Sequence, residues 1–130
     1  MFMKPSDPTY GGPDWQIAKG RVENDDSNLV TALREGAEEL GLRESNIIEV
    51  QELGTYLGRT VVYLCRVVNK HDFDAFHFET GAVTWYTMQQ FNEVGRDLHK
   101  RIVQDAEKAI RSGKIVYDIE TIIRSGQNTY

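Results

Sequence analysis

The sequence predicts an α/β (α+β) fold in which helices pack against a mixed sheet. Apolar residues recur at helical spacing over residues 28–40, and two apolar stretches at 46–58 and 59–69 indicate a hairpin. A second helical pattern covers residues 88–113, and short strands are predicted at 1–4, 15–20 and 82–87. This order of elements favours helices stacked on a sheet.

Length and composition restrict the classes of function. A chain of 130 residues can bury one core, so we expect a single domain over residues 1–130. The net charge of −5 argues against a nucleic-acid duplex as partner, because binding the phosphate backbone needs a basic surface. No apolar run approaches membrane-spanning length, and a single cysteine excludes an intrachain disulfide framework. We therefore expect no membrane partner and a cytoplasmic location.

The helix predicted at residues 28–40 concentrates acidic residues on one face. Glu35, Glu38 and Glu39 are three and four positions apart, and like charges at this spacing destabilise a helix. This pattern alone fits either a solvated acidic face or oxygen ligands for a divalent cation such as Mg²⁺. Gly41 is placed to end the helix in the left-handed conformation. Gly36 lies in the apolar stripe and predicts the close approach of another backbone.

The residues around this helix resemble the Nudix box of the Nudix hydrolase family, the MutT-like hydrolases. The family pattern is G-x5-E-x7-R-E-U-x-E-E-x-G-U, in which U is aliphatic. Residues 20–42, GRVENDDSNLVTALREGAEELGL, match it at Gly20, Arg34, Glu35, Glu38, Glu39, Gly41 and Leu42. The stretches WQIAKG (15–20) and FETGAVTW (78–85) are similar to the segments that precede and follow the box in this family.

The chain departs from the family pattern in three places. Asp26 replaces the usual first glutamate, and Gly36 replaces the aliphatic residue. Family members also have a strand ahead of the position of residues 1–4. We therefore expect a Nudix-type α/β/α sandwich that lacks this first strand, or one in which residues 115–123, readable as a strand or a helical turn, fill its place. An uncovered sheet edge would favour a homodimer.

The resemblance implies an enzyme that hydrolyses the pyrophosphate link of a nucleoside diphosphate joined to another moiety, with Mg²⁺ or Mn²⁺ as cofactor. It implies Glu38 and Glu39 as metal ligands, together with the backbone carbonyl of Lys19. Glu35 is a further ligand or the residue that orients water, and Arg34 holds it. Glu79 is expected as another ligand or as the base.

Other residues are weaker candidates for the site. Lys4 and Tyr56 are considered for contacts with the nucleotide substrate. The histidines lack the spacing of metal ligands and are interpreted as surface residues: His71, His77 and His99.

The sequence leaves more than one possibility for the substrate and for the class of reaction. Residues 19–20 and 32–35 are most similar to the dinucleoside polyphosphate branch of the family, and ADP-ribose-like substrates are close behind. A house-cleaning (d)NTP pyrophosphatase is the first alternative. A non-catalytic nucleotide-binding module is the second, and the substitution at Asp26 is its only support, because such members usually lose a box glutamate.

Overall fold

A computed structural model describes residues 1–9, 11–22 and 27–112 and the backbone of residues 117–118. The predicted α/β class is confirmed, with three α-helices and small sheets in the part of the chain that the structure describes. The elements in chain order are β1 (Phe2–Pro5), α1 (Asn28–Leu40), β2 (Ile47–Tyr56), β3 (Thr60–Val67), β4 (Thr80–Thr84), α2 (Met88–Val94), α3 (Asp97–Arg111) and β5 (Tyr117–Asp118).

The strands pair in two small antiparallel sheets. β1 pairs with β4, and β2 lies between β3 and β5. The predicted hairpin is β2–β3, and Leu57 (φ 53°) and Gly58 (φ 84°) in its turn both adopt left-handed backbone conformations. Parallel pairing, which a mixed sheet would contain, occurs among the described residues at the isolated bridge between Trp15 and Gly95.

β5 falls within residues 115–123, for which the sequence leaves a strand and a helical turn open. Tyr117 pairs with Val50 and Asp118 with Glu49, so these two residues extend the β2 side of the sheet as a strand. The other residues of this stretch lie outside the described residues. That the whole stretch fills the place of a missing first strand therefore stays a prediction.

Residues 15–20 do not form the predicted strand. The first two make only isolated bridges. Farther along, side chains satisfy the backbone donors: the Ile17 N–H donates to Nδ1 of His99 (3.2 Å), and the Lys19 N–H donates to Oε2 of Glu39 (3.3 Å). Gln16 exchanges both backbone hydrogen bonds with Met3 of β1, but the pairing ends there because side chains take the following donors, and the segment then runs between two helices.

The helix predicted at residues 88–113 is two helices. Gly95 follows α2 with an extended backbone, and the next residue, Arg96, donates its N–H to the Trp15 carbonyl at 2.8 Å. A Cβ on Gly95 would lie 2.5 Å from the Phe91 ring, so the chain needs glycine where it leaves α2. This break brings residues 15–20 against the start of α3.

Two apolar clusters hold the elements together. One contains Phe2, Phe91 and Val103 and joins β1 to α2 and α3. The other contains Ile47 and Val50, and it packs β2 against apolar side chains of α1. The apolar stripe of α1 is therefore used for packing, which leaves its acidic residues on the remaining surface of the helix.

Gly36, inside α1, and Gly41, at the C-terminal end of α1, have different roles. Gly41 adopts the predicted left-handed conformation (φ 76°), and its N–H donates to the Ala37 carbonyl at 3.1 Å. The expectation that Gly36 admits another backbone is wrong. A Cβ on Gly36 would meet a side chain instead, at 3.0 Å from Cδ2 of Leu42.

Candidate active site on helix α1

The backbone of residues 19–20 packs against two carboxyl groups of α1. The Lys19 N–H donates to Oε2 of Glu39 at 3.3 Å. A Cβ on Gly20 would lie 2.0 Å from Cδ of Glu35 and 2.1 Å from its Oε1, so this carboxyl group occupies the space that a side chain at residue 20 would take. The first glycine and the first helical glutamate of the box, which are 15 positions apart in the sequence, are thus in contact.

Glu39 has a strongly perturbed carboxyl group. Burial raises its pKa to about 7, against the lowering effect of the Lys19 N–H, and the charge and hydrogen bonding of Glu35 raise it further. Glu35 in turn forms an ion pair with Arg34 at 3.6 Å, and the same guanidinium donates to the Arg21 carbonyl at 3.2 Å. Two carboxyl groups are therefore held together in a partly buried position where a cation would stabilise their ionised forms.

Glu38 and Glu39 are also connected to the loop that precedes β4. The His77 N–H donates to the Glu38 carbonyl at 2.7 Å, and Oγ1 of Thr80 donates to the Glu39 carbonyl at 3.0 Å. Glu79 lies between these two anchored residues with its side chain exposed. The loop therefore brings Glu79 to the C-terminal end of α1, and its role as ligand or base stays a prediction.

The donor atoms of the site fit a divalent cation in kind. Mg²⁺ prefers carboxylate and carbonyl oxygens, keeps several waters and shares itself with substrate phosphates. Glu35, Glu38, Glu39 and the Lys19 backbone offer such oxygens. Over the ranges that the structure describes, no three Asp, Glu, His or Cys side chains are grouped closely enough to enclose a metal on their own. The individual ligand assignments therefore stay predictions.

The two weaker substrate candidates make contacts within the protein. Nζ of Lys4 lies 4.9 Å from the centroid of the Trp15 ring, a cation–π contact. The Tyr56 hydroxyl donates to Oδ2 of Asp105 in α3 at 2.8 Å, which joins β2 to α3. Contact of either residue with a nucleotide stays a prediction.

The prediction that His99 is a surface residue is wrong. The residue is 1% exposed, and its Nδ1 holds the backbone N–H of Ile17. Burial lowers its pKa to about 4, and the charges of Arg96 and Lys19 lower it further. Its position three residues before the buried Ile102, on the apolar stripe of α3, is the sequence signal that indicates burial.

A family model now accounts for this arrangement. The model of the NUDIX domain matches residues 3–111, a range that includes β1 to α3 and every residue of the site. The chain therefore belongs to the Nudix family, which confirms the resemblance of the box. The family hydrolyses nucleoside diphosphates linked to another moiety.

No curated protein matches the sequence. Among the described residues, no helix combines the length and the apolar character needed to cross a membrane.

Proposed function

We propose that this chain is a Mg²⁺-dependent pyrophosphohydrolase acting on dinucleoside polyphosphates or ADP-ribose-like compounds. The observation that supports it is the packing of residues 19–20 against the carboxyl groups of Glu35 and Glu39. Two separate segments thereby converge on two carboxyl groups that repel each other when both are ionised. A helix whose charges served only solubility would have no need of this arrangement.

In this proposal Glu35, Glu38, Glu39 and the Lys19 carbonyl hold the ion, with Mn²⁺ as an alternative to Mg²⁺. When bound, the ion neutralises charge on the phosphate oxygens and lowers the pKa of water. Arg34, which contacts both Glu35 and the Arg21 carbonyl, keeps the glutamate oriented toward Gly20.

The attacking water needs a carboxylate that takes its proton. The water oxygen forms a bond to phosphorus, the bond from phosphorus to the bridging oxygen breaks, and the proton passes to the base. Glu79 is exposed and close to the end of α1, which favours it for this role. Glu35 is the second candidate because its carboxyl group lies at Gly20.

The presence of all three helical glutamates favours an enzyme over a nucleotide-binding module. Asp26, which is the only support for the module, lies outside the described residues. A (d)NTP pyrophosphatase uses the same donor atoms, so products are needed to separate it from the proposed function. A cytoplasmic location and the choice between monomer and homodimer belong to the same proposal.

The test is incubation of the full chain with Mg²⁺ and a panel of phosphate anhydrides. The panel contains Ap₃A, Ap₄A, ADP-ribose, FAD, GDP-mannose and canonical and oxidised (d)NTPs, and chromatography resolves the products. We expect cleavage of a dinucleoside polyphosphate or of ADP-ribose, and loss of this cleavage in EDTA and in Glu39→Gln. Glu107→Gln, a change to an acid of α3, is the matched control and should retain full activity.

Other outcomes identify the alternatives. Preferential release of pyrophosphate and nucleoside monophosphate from (d)NTPs would establish the house-cleaning reaction instead. Nucleotide binding without turnover across the panel would establish the non-catalytic module.

A further inference from the structure

The loop before β4 forms a tight turn on the C-terminal end of α1. The His77 N–H and the Thr80 hydroxyl donate to the carbonyls of Glu38 and Glu39, and the Thr80 N–H donates back to the His77 carbonyl at 2.9 Å. These bonds satisfy carbonyls that a helix end leaves without partners. The turn is therefore fixed next to the two glutamates that the proposed function assigns to metal binding.

The residue at the tip of this turn, Phe78, presents its ring to solvent. It is 78% exposed, the largest value among the exposed large apolar side chains of the described residues. The neighbouring His77 is exposed as well, and the two ring centroids are 4.2 Å apart with an interplanar angle of 42°. An ordered backbone thus holds a two-ring surface in water, although an aromatic ring gains stability from burial.

Several other aromatic residues are used differently. Phe2 stacks on Phe91 in the core, and Trp15 packs edge-on against Tyr86 at 5.4 Å. In these pairs the rings contact protein, whereas the ring contact recorded for Phe78 is with its own neighbour in the turn. The position of Phe78 therefore has no explanation in the packing of the fold.

We propose that Phe78, together with His77, is the stacking platform for the nucleobase of the substrate. This inference rests on the proposed function, in which the phosphate chain lies at Glu35, Glu38 and Glu39. A nucleotide carries its base one ribose away from its phosphates, and the turn that holds Phe78 is bonded to the backbone carbonyls of Glu38 and Glu39, two of the three acids. A base offers a flat apolar face, which an exposed aromatic ring can cover.

The platform determines a particular kind of specificity. Stacking uses the face of the base and not its hydrogen-bonding edge, so adenine and guanine should bind about equally and the smaller pyrimidines more weakly. Anhydrides without a base should gain nothing from Phe78. The chain would therefore select nucleotides as a class while tolerating different purines.

The experiment compares the full chain with Phe78→Ala, Phe78→Tyr and Leu98→Ala in the presence of Mg²⁺. Phe78→Tyr keeps the ring, and Leu98→Ala removes an exposed apolar side chain from α3. Calorimetry measures the binding of AMP and of inorganic pyrophosphate, which has no base. NMR records the H2 and H8 shifts of AMP, which a ring stacked on the base would displace.

We expect Phe78→Ala to weaken AMP binding by roughly 10- to 100-fold and to abolish the shift of the base protons. Pyrophosphate binding should be unchanged, Phe78→Tyr should restore AMP binding, and Leu98→Ala should behave as the unmodified chain. Equal weakening for AMP and pyrophosphate, or no effect on AMP, would overturn the platform.

The platform and the proposed function fail in different ways. Turnover of nucleotides with the same KM in Phe78→Ala would remove the platform and leave the hydrolase intact. Stacking of AMP on Phe78 without any turnover across the substrate panel would keep the platform and remove the hydrolase.

Discussion

Helices α1 and α3 both carry several acidic residues, but they arrange them in opposite ways. In α3 the acids form ion pairs with basic residues three or four positions away: Asp97 with Lys100, Asp105 with Arg101 and Glu107 with Arg111. In α1 Glu35 forms an ion pair with its neighbour Arg34, but its carboxyl group and that of Glu39 also lie against each other and against the backbone of residues 19–20.

The difference contrasts a stabilising pattern with the pattern that the proposed metal site requires. Ion pairs within a helix each contribute a few tenths of a kcal/mol, and salt screens them. Acids that converge at a partly buried point instead lower stability until a cation neutralises them. The charge of the two helices is thus a poor guide to function, whereas the partners of each charge are a good one.

The largest expected effect is on turnover, when single acids of α1 are replaced by glutamine and compared with the same replacement in α3. Glu38→Gln and Glu39→Gln should each reduce turnover by orders of magnitude, because each removes a proposed metal ligand and leaves the side-chain volume unchanged. Glu107→Gln should leave turnover unchanged and alter the free energy of unfolding by no more than about 0.5 kcal/mol. Steady-state rates and urea unfolding measure the two effects. Near-full activity in both α1 variants would falsify the assignment of the metal to α1.

The next effect concerns Gly41 at the C-terminal end of α1. Its carbonyl accepts the N–H of Asp74, which lies in the loop before β4. Gly41 has φ 76°, and a Cβ there would lie 1.9 Å from the carbonyl oxygen of Asp74. Gly41→Ala should therefore lower the free energy of unfolding by about 2 to 4 kcal/mol, through backbone strain and a forced shift of the loop.

Gly12→Ala is the matched control for this change. Gly12 has φ 90°, but a Cβ would meet nothing within 4 Å, so only the conformational cost of about 1 to 2 kcal/mol applies. Urea unfolding of both variants measures the difference. Equal losses would show that the Asp74 carbonyl moves away at no cost.

The two helices meet functionally at His99, through which α3 supports the segment that contacts the acids of α1. Its pKa is lowered from 6.5 to about 4, first by burial and then by the charges of Arg96 and Lys19. The unfolded chain therefore binds a proton between these values while the folded chain does not, so stability is lost as the pH falls from about 6.5 toward 4.

His99→Asn measures this contribution, because Oδ1 of asparagine can accept the Ile17 N–H and does not titrate. Between pH 7 and pH 4, the unmodified chain should lose on the order of 3 kcal/mol more than the variant. Urea unfolding at both pH values gives the two losses. Subtracting them cancels the contributions of carboxyl groups that the variant leaves alone, and identical losses would contradict a neutral, buried His99.

The sequence predicts features that depend on residues close together in the chain better than features that depend on distant contacts. The limits of α1, its left-handed end at Gly41 and the β2–β3 hairpin are set by neighbouring residues, and their prediction is confirmed. Two of the failed predictions, a surface position for His99 and a strand at residues 15–20, depend on distant contacts, whereas the role of Gly36 is decided by Leu42, six positions away. His99 and Ile17 are 82 positions apart, and their hydrogen bond explains both the burial of the histidine and the missing strand at residues 15–20.

The candidate site shows the same division. The spacing of Glu35, Glu38 and Glu39 is a local helical property and could be read directly. The turn that brings Phe78 and Glu79 to α1 is joined to it by hydrogen bonds across about 40 positions, such as that between Thr80 and Glu39, 41 positions apart. Spacing alone carries no signal for contacts of this kind.

The smallest expected effect comes from a change on the packed face of α1. It tests whether this face affects stability alone, while turnover depends on the acidic face. Gly36 lies on the packed face, where a Cβ would be 3.0 Å from Cδ2 of Leu42, the mobile end of a flexible side chain. Alanine favours the helix by about 1 kcal/mol over glycine, and a small shift of Leu42 consumes part of that gain. Gly36→Ala should therefore raise the free energy of unfolding by up to about 1 kcal/mol without changing turnover. A loss of turnover at unchanged stability would show that the packed face positions the glutamates and that the two faces of α1 are coupled.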